Sequence, residues 1–287
     1  MASSSPLVFD IETVGLGWEA LAPDVQDYLL ERARNDEERA AVPQRLALHP
    51  GTGRVVAIGL WRPEEDRGGV LVADDAAGGR EGDAGVRRDG DGAGRRDGDA
   101  ASGRNGDGAG RAEHADAGVR TDHGDASADG GDPTAPGWVP FEDGALIYRG
   151  PETRILEEFW RYVEEGAGTL ITFNGRGFDG PFLMLRSAIL GIAPSRNLVP
   201  YRYSLKDHCD LAEVLTFYGV RKRDSLHFWC RQFGIPSPKD SMDGSGVEQA
   251  FRQGRLDDIA RYCLQDVRAT AELYRRLQPL IALLERS

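Results

Sequence analysis

The chain has 287 residues and a formal net charge of −12, with 29% charged and 40% hydrophobic side chains. That length allows one large domain or two small ones. The acidity argues at first against a phosphate-binding surface, but residues 74–132 hold 15 acidic and 8 basic side chains, so −7 of the −12 is local and the remainder is only mildly acidic. Three cysteines, Cys209, Cys230 and Cys263, show no CxxC or zinc spacing and read as reduced thiols of a cytoplasmic protein. MASSSP offers no basic region ahead of an apolar run, and no apolar stretch approaches membrane-spanning length, so neither a secretory signal nor a membrane association is expected.

LVFDI (7–11) and RVVAIGLW (54–61) are apolar and β-branched, hence strands. Between them lies a long connection, 18–50, with a helical pattern over 24–41. It reads as an ordered cap, and connections of that length are often functional. VLVA (70–73) and ALIY (145–148) are short strand candidates flanking residues 74–136. That segment is built largely from Gly, Asp, Arg and Ala, has no hydrophobic periodicity, and is expected to be a disordered insertion. Asp89-Gly90-Asp91 opens like a calcium loop, but the fifth and twelfth positions are Ala93 and Ala100. PETRILEEFWRYVEEG places Leu156, Phe159, Trp160 and Val163 on one helical face. TLITFNG (169–175) is a buried strand, and FDGPFLMLRSAILG is helical after its proline, with Gly191 as a stop. Helices are expected over 205–217, 224–234, 244–253 and 256–284. Strands followed by alternating strands and helices predict an α/β domain, 1–73 joined to 137–287.

The chemistry lies in the carboxylates. Side chains alternate along a strand, so Asp10 and Glu12 share one face while Ile11 takes the other. Two carboxylates so placed repel unless a cation sits between them. Asp179 follows the strand TLITFNG near a helix start. Asp266 lies four residues after Tyr262, so the two are neighbours on the last helix. Relative to the apolar stripe of Leu256, Ile259, Ala260, Cys263, Leu264, Val267 and Tyr274, Asp266 lies roughly 80° and Tyr262 roughly 120° from the centre, at one edge of the buried face. Four carboxylates from separate elements suit Mg²⁺ or Mn²⁺. A metal pair about 4 Å apart is a standard device for in-line phosphodiester hydrolysis.

Asp10-Ile11-Glu12, then Asn174-Gly-Arg-Gly-Phe178-Asp179, then Tyr262-Cys-Leu-Gln-Asp266 resemble the DEDDy 3′–5′ exonucleases. The resemblance is closest to the predicted 3′–5′ exonucleases related to the proofreading domain of family-B DNA polymerases. SPKDSMDGSGVEQAF and GRLDDIARYCLQDVRATAELY support it, and the similarity extends over nearly the whole chain outside 74–136. The DEDDh branch has His five residues before the last Asp, where this chain has Arg261.

The resemblance implies a ribonuclease H-like fold, a mixed central sheet flanked by helices. It implies two Mg²⁺ or Mn²⁺ ions held by Asp10, Glu12, Asp179 and Asp266, with Tyr262 orienting the nucleophilic water. Ile11, Thr13, Asn174 and Phe178 would lie beside the terminal nucleotides. The expected substrate is the 3′ end of single-stranded nucleic acid, cut to nucleoside monophosphates, with DNA favoured only through the family-B likeness. Three alternatives stay open: an RNA exonuclease of the same fold, a catalytically silent scaffold that binds nucleic acid or a polymerase, and an endonuclease of the same superfold.

Among other residues, Arg221-Lys222-Arg223 reads equally as a phosphate contact or a solvated basic turn, and Arg202 and Lys206 share that ambiguity. His208 and His227 read as ordinary structural histidines. The five tryptophans read mostly as core, and Gly175-Arg176-Gly177 as a tight turn that places Phe178 and Asp179.

Overall fold

The computed structural model describes residues 5–76, 137–237 and 245–285. Seven strands form one sheet: β1 (Leu7–Gly15), β2 (Gly53–Arg62), β3 (Arg67–Ala73), β4 (Trp138–Pro140), β5 (Leu146–Gly150), β6 (Leu170–Thr172) and β7 (His208–Asp210). Their order is β4-β5-β3-β2-β1-β6-β7. β2 runs antiparallel to β1 and β3, and β4 antiparallel to β5. The β1–β6, β6–β7 and β3–β5 pairs are parallel. Within β3-β2-β1-β6-β7, the first strand is central and its antiparallel neighbour follows it in the chain. This is the ribonuclease H-like arrangement that the sequence led us to expect.

Eight α-helices accompany the sheet among the described residues: α1 (Pro23–Glu31), α2 (Asp36–Ala41), α3 (Glu152–Gly166), α4 (Asp179–Ile189), α5 (Leu211–Leu215), α6 (Leu226–Phe233), α7 (Ser245–Arg252) and α8 (Leu256–Leu284). Strand alternation divides the core in two. Leu7, Phe9 and Ile11 of β1 face Ile155, Phe159 and Val163 of α3 and Phe182 and Leu183 of α4. Val8 and Val14 face Ile259, Cys263 and Val267 of α8, together with residues of α5, α6 and α7. Phe9 and Phe159 meet edge to face at 5.7 Å and are fully buried; each contributes about 1.5–3 kcal/mol by leaving water. A buried ion pair ties the first layer together. Arg186 of α4 donates to both carboxylate oxygens of Glu152 at 2.9 and 2.8 Å, and Glu152 also accepts the Val55 N–H at 2.7 Å.

Several elements differ from expectation. The helix expected over 205–217 is the strand β7 followed by the short helix α5. Asp210 ends the strand and caps the helix by accepting the Ala212 N–H at 3.0 Å, so a strand of three residues merges into the helix that follows it. The 24–41 segment is two helices, parted at Asn35, whose side chain caps α2 by accepting the Glu38 N–H. α4 begins before Pro181, which lies in the first turn where its missing N–H is harmless. The strand in TLITFNG ends at Thr172. The three-residue edge strand β4 was not anticipated. Among the described residues no helix is long and apolar enough to cross a membrane.

The insertion expected over 74–136 lies outside the described residues from 77 onward. At its near end, the Asp74 N–H donates to the Gly150 carbonyl at 2.8 Å and Asp75 pairs with Arg54 at 3.0 Å.

Candidate active site

β6 pairs with β1 only through Leu7 and Val8 and ends at Thr172, so the second half of β1 is flanked by β2 on one side and by an opening on the other. Asp10 and Glu12 stand in that half, on the face toward α8. The register against β2 slips between Glu12 and Thr13, which pair with Ala57 and Val55. The extra residue, Val56, makes a β-bulge beside Glu12, a device that re-aims side chains locally.

α8 comes close to the sheet at one point. Gly59 is the partner of Asp10 across the β1–β2 ladder. A Cβ there would stand 2.8 Å from Val267 Cγ1 and 3.0 Å from the Cys263 carbonyl oxygen. The missing side chain therefore lets the helix carrying Tyr262 and Asp266 rest against the strand pair beneath Asp10. Sequence reasoning passed over Gly59; its only signal was a glycine inside an otherwise continuous apolar strand. It read Cys263 only as part of the apolar stripe; its Sγ donates to the Asp10 carbonyl oxygen at 3.7 Å. Donor atoms of Asp10, Glu12 and Cys263 all lie within 4.8 Å of one another.

Asp179 arrives from the far side of the opening. It is the first residue of α4, buried at 4% exposure, and accepts the Ile11 N–H at 3.0 Å, a donor that β6 is too short to use. The turn ahead of it is tightly specified. Asn174 has φ +71. Gly175 lies where a Cβ would be 2.5 Å from Thr172, and Gly177 where it would be 2.7 Å from Asn174 Oδ1. Asp210, which the sequence reading placed inside a helix, accepts the Asn174 and Arg176 N–H groups, both at 2.9 Å. Arg176 is itself buried and donates to the carbonyls of Pro200, Tyr201 and His208. His208 sits beneath this turn. Its Nδ1–H donates to the Leu198 carbonyl at 2.7 Å, which leaves Nε2 to accept the Thr172 hydroxyl at 2.8 Å. Burial, followed by the nearby Arg176 charge, pushes its pKa down to about 4.

Around the opening the carboxylates act on one another. Burial pushes Asp10 well above the usual carboxylate range, and the charges of Asp179, Asp266 and Glu12 add to it. Glu12 is raised by burial, then by Asp266 and Asp179. Asp179 is pushed up to about 7 by burial and by Asp210 and Asp266, against the lowering effect of its backbone hydrogen bonds. Tyr262 is 7% exposed and hydrogen-bonded to Asp266; burial and the charges of Asp266, Glu12 and Asp10 hold its hydroxyl far above its ordinary range. Carboxylates that raise one another's proton affinity are a donor set for a hard divalent cation, which would neutralise them. Asp10 and Glu12, with ligand atoms within 4.8 Å of each other, fit such an ion; Asp179 and Asp266 lie outside that close group.

The nucleotide-contact candidates fall unevenly. Phe178 is half-buried, its ring tilted against that of Phe182 with centroids 5.5 Å apart, and Asn174 contacts the Arg223 guanidinium through Oδ1. The Ile11 side chain is buried in the layer facing α3 and α4, so only its backbone faces the opening, where it is spent on Asp179. Thr13 Oγ1 donates to the Ala47 carbonyl at 2.8 Å and anchors the 18–50 connection to the end of β1. That strand end is further held by Glu248 of α7, which accepts the Gly15 N–H at 3.0 Å.

The chain is similar in sequence to known proteins. Residues 147–287 match a family described as predicted 3′–5′ exonucleases related to the exonuclease domain of PolB. The match takes in Asp179, Tyr262 and Asp266 but not β1, so it is narrower than the near-complete likeness expected from the sequence. An uncharacterised protein of Methanocaldococcus jannaschii is 30% identical over 136 residues, 44% of this chain and 74% of that protein. A DNA polymerase of Desulfurococcus sp. (strain Tok) is 27% identical over 156 residues, 47% of this chain and 19% of the polymerase. One from Thermococcus sp. (strain 9oN-7) is 27% identical over 180 residues, 55% of this chain and 22% of the polymerase. The chain thus spans about a fifth of the length of these polymerases. The family B DNA polymerase structure from Pyrobaculum calidifontis superposes with a TM-score of 0.48 and 18% identity, over 95% of this chain and 24% of the polymerase. By sequence, the chain belongs to the family of predicted 3′–5′ exonucleases related to the PolB exonuclease domain.

Proposed function

We propose that the protein is a metal-dependent exonuclease that removes nucleoside monophosphates from the 3′ end of single-stranded nucleic acid, with DNA as the preferred strand. The observation that supports this reading is the pairing of Asp10 and Glu12, whose ligand atoms lie within 4.8 Å of each other, with Asp179 fastened to the N–H of the intervening Ile11 and Asp266 carried by α8. The preference for DNA rests on the relatives that are DNA polymerases.

In this reading Asp10, Glu12 and Asp266 would hold one Mg²⁺ or Mn²⁺ and Asp10 also a second, which Asp179 would reach through water. Bound there, the ions supply charge neutralisation for the phosphate and acidify an attacking water. The chain's own residues do the positioning. Burial raises the Tyr262 hydroxyl above its ordinary range, so at neutral pH it orients a water by hydrogen bonding and does not act as a base. Asp266, which accepts from Tyr262, fixes the direction of that hydroxyl. The Ile11 N–H fixes the Asp179 carboxylate, and the 174–178 turn presents Asn174 and Phe178 beside the opening.

The test is digestion of 5′-labelled single-stranded DNA and RNA of one sequence with Mg²⁺, Mn²⁺ or EDTA, beside Asp10→Ala. The expected result is a metal-dependent ladder shortening from the 3′ end, faster on DNA and absent in the variant. An undigested strand from folded, metal-supplied protein would overturn the proposal, and faster loss of RNA would reassign the substrate.

A further inference from the structure

Two surface segments are fastened to the turn that carries Asn174 and Asp179. The first is 198–203. Arg176 donates to the Pro200 and Tyr201 carbonyls at 2.7 and 3.2 Å, and Leu198 packs where a Gly180 side chain would otherwise stand. The second is 217–223, whose Arg223 contacts Asn174 Oδ1. The two segments meet through aromatic rings. Tyr201 and Tyr203 lie edge to face at 5.7 Å, and Tyr203 and Tyr218 at 4.8 Å. Tyr201 is 74% and Tyr203 56% exposed, Phe217 next to Tyr218 in the chain is also exposed, and Tyr218 itself is half-buried, its inner side packed on the core.

The backbone that presents Tyr218 is held in an unfavourable form. Phe217, Tyr218 and Gly219 all have positive φ, at 49°, 57° and 99°. The turn is maintained by Tyr218 N–H to the Glu213 carbonyl at 2.8 Å and Arg221 N–H to the Thr216 carbonyl at 3.0 Å. Two non-glycine residues in the left-handed region are costly, and such strain gathers at functional sites. The turn runs directly into Arg221-Lys222-Arg223, all exposed. In a chain of net charge −12, three consecutive basic residues beside exposed aromatic rings suit a polyanion with flat bases. Each base offers a face to stack on, and each phosphate a charge to meet.

We propose that Tyr201, Tyr203 and Tyr218, with Arg221 and Lys222, form a track for the nucleotides that precede the 3′ end of a single strand. The terminal nucleotide enters the carboxylate opening, and the upstream strand crosses Asn174 onto the rings. The track rests on the exonuclease reading for its direction, but its binding is measurable without hydrolysis.

The test compares binding of fluorescein-labelled trimer and dodecamer DNA in EDTA by anisotropy. The proteins are wild type, Tyr201→Ala/Tyr203→Ala and Arg221→Ser/Lys222→Ser, with thermal melting as the fold control. Wild type is expected to hold the dodecamer more tightly than the trimer. The tyrosine variant should lose about tenfold or more of dodecamer affinity and most of that length preference. The basic variant should flatten the slope of log affinity against log salt by about 1.4. Variants that keep the wild-type length preference and salt slope would overturn the track and leave the exposed rings to a protein partner. The two readings separate cleanly: a 3′ digestion ladder with no length preference sinks the track alone, whereas length-dependent binding with no digestion sinks the exonuclease reading alone.

Discussion

Replacing Gly59 with alanine would place a methyl group 2.8 Å from Val267 Cγ1, 3.0 Å from the Cys263 carbonyl oxygen and 3.1 Å from Cys263 Sγ. Carbon atoms in good contact stand about 3.5–4.0 Å apart, so relief needs a shift of about 0.5–1 Å. The Val267 side chain can turn aside, but the Cys263 carbonyl is helix backbone, and α8 must move with it. Overpacking of this kind costs about 1–3 kcal/mol. At the middle of that range Tm should fall by about 4–8 °C for a domain of this size. The larger effect falls on chemistry. α8 carries Tyr262 and Asp266 toward Asp10, the ladder partner of Gly59, and a misplacement near 1 Å can cost about a hundredfold in rate. Thermal melting and metal-dependent 3′ digestion of Gly59→Ala measure both. Wild-type Tm together with wild-type rate would refute the claim that the helix-to-strand distance at Gly59 sets the site.

Other expectations follow from the same geometry. Asp10 binds its proton more tightly folded than unfolded, so its charge destabilises the fold at neutral pH and stability rises as pH falls through the raised pKa. Asp10→Asn should therefore raise Tm in EDTA while abolishing metal-dependent digestion; a lowered Tm would contradict the repulsion. Tyr262→Phe should slow digestion by about 10- to 100-fold with Mn²⁺ affinity retained, and an unchanged rate would remove the hydroxyl from any role in orienting water. His208 shifts the other way, from an ordinary 6.5 to about 4. Its contribution is full above pH 6.5 and is lost as pH falls toward 4, roughly 3 kcal/mol in all. Imidazole NMR should find it neutral at pH 5; a midpoint near 6.5 would mean that the Thr172–His208–Leu198 chain does not hold.

What could be read from the sequence was what regular periodicity carries. β1 displayed Asp10 and Glu12 through simple alternation, and the apolar stripe of the last helix displayed Tyr262 and Asp266 at its edge, on a helix whose expected bounds, 256–284, the structure reproduces. The Gly175–Gly177 turn was legible because glycines there had no other purpose. The unread parts depend on contacts between distant segments. Asp210 serves residues 174, 176 and 212 at once, and only the fold brings them together. β7 is three residues long and runs directly into α5, too short for a period to register. Glu152 and Arg186 form a buried pair 34 residues apart, on two helices whose individual patterns carry no sign of the partner. Gly59 gains its meaning only from the helix packed against it, which its strand's own pattern does not show.

The most direct test of the account is a calorimetric Mn²⁺ titration of wild type and Asp10→Asn, because every step of the reading depends on the carboxylates beside β1 holding divalent ions. The account predicts saturable binding of two ions per chain in wild type, with loss of both in the variant because Asp10 is shared between them. Absence of saturable binding, or equal binding by the variant, would contradict it and leave the carboxylate cluster without the ions it is proposed to hold.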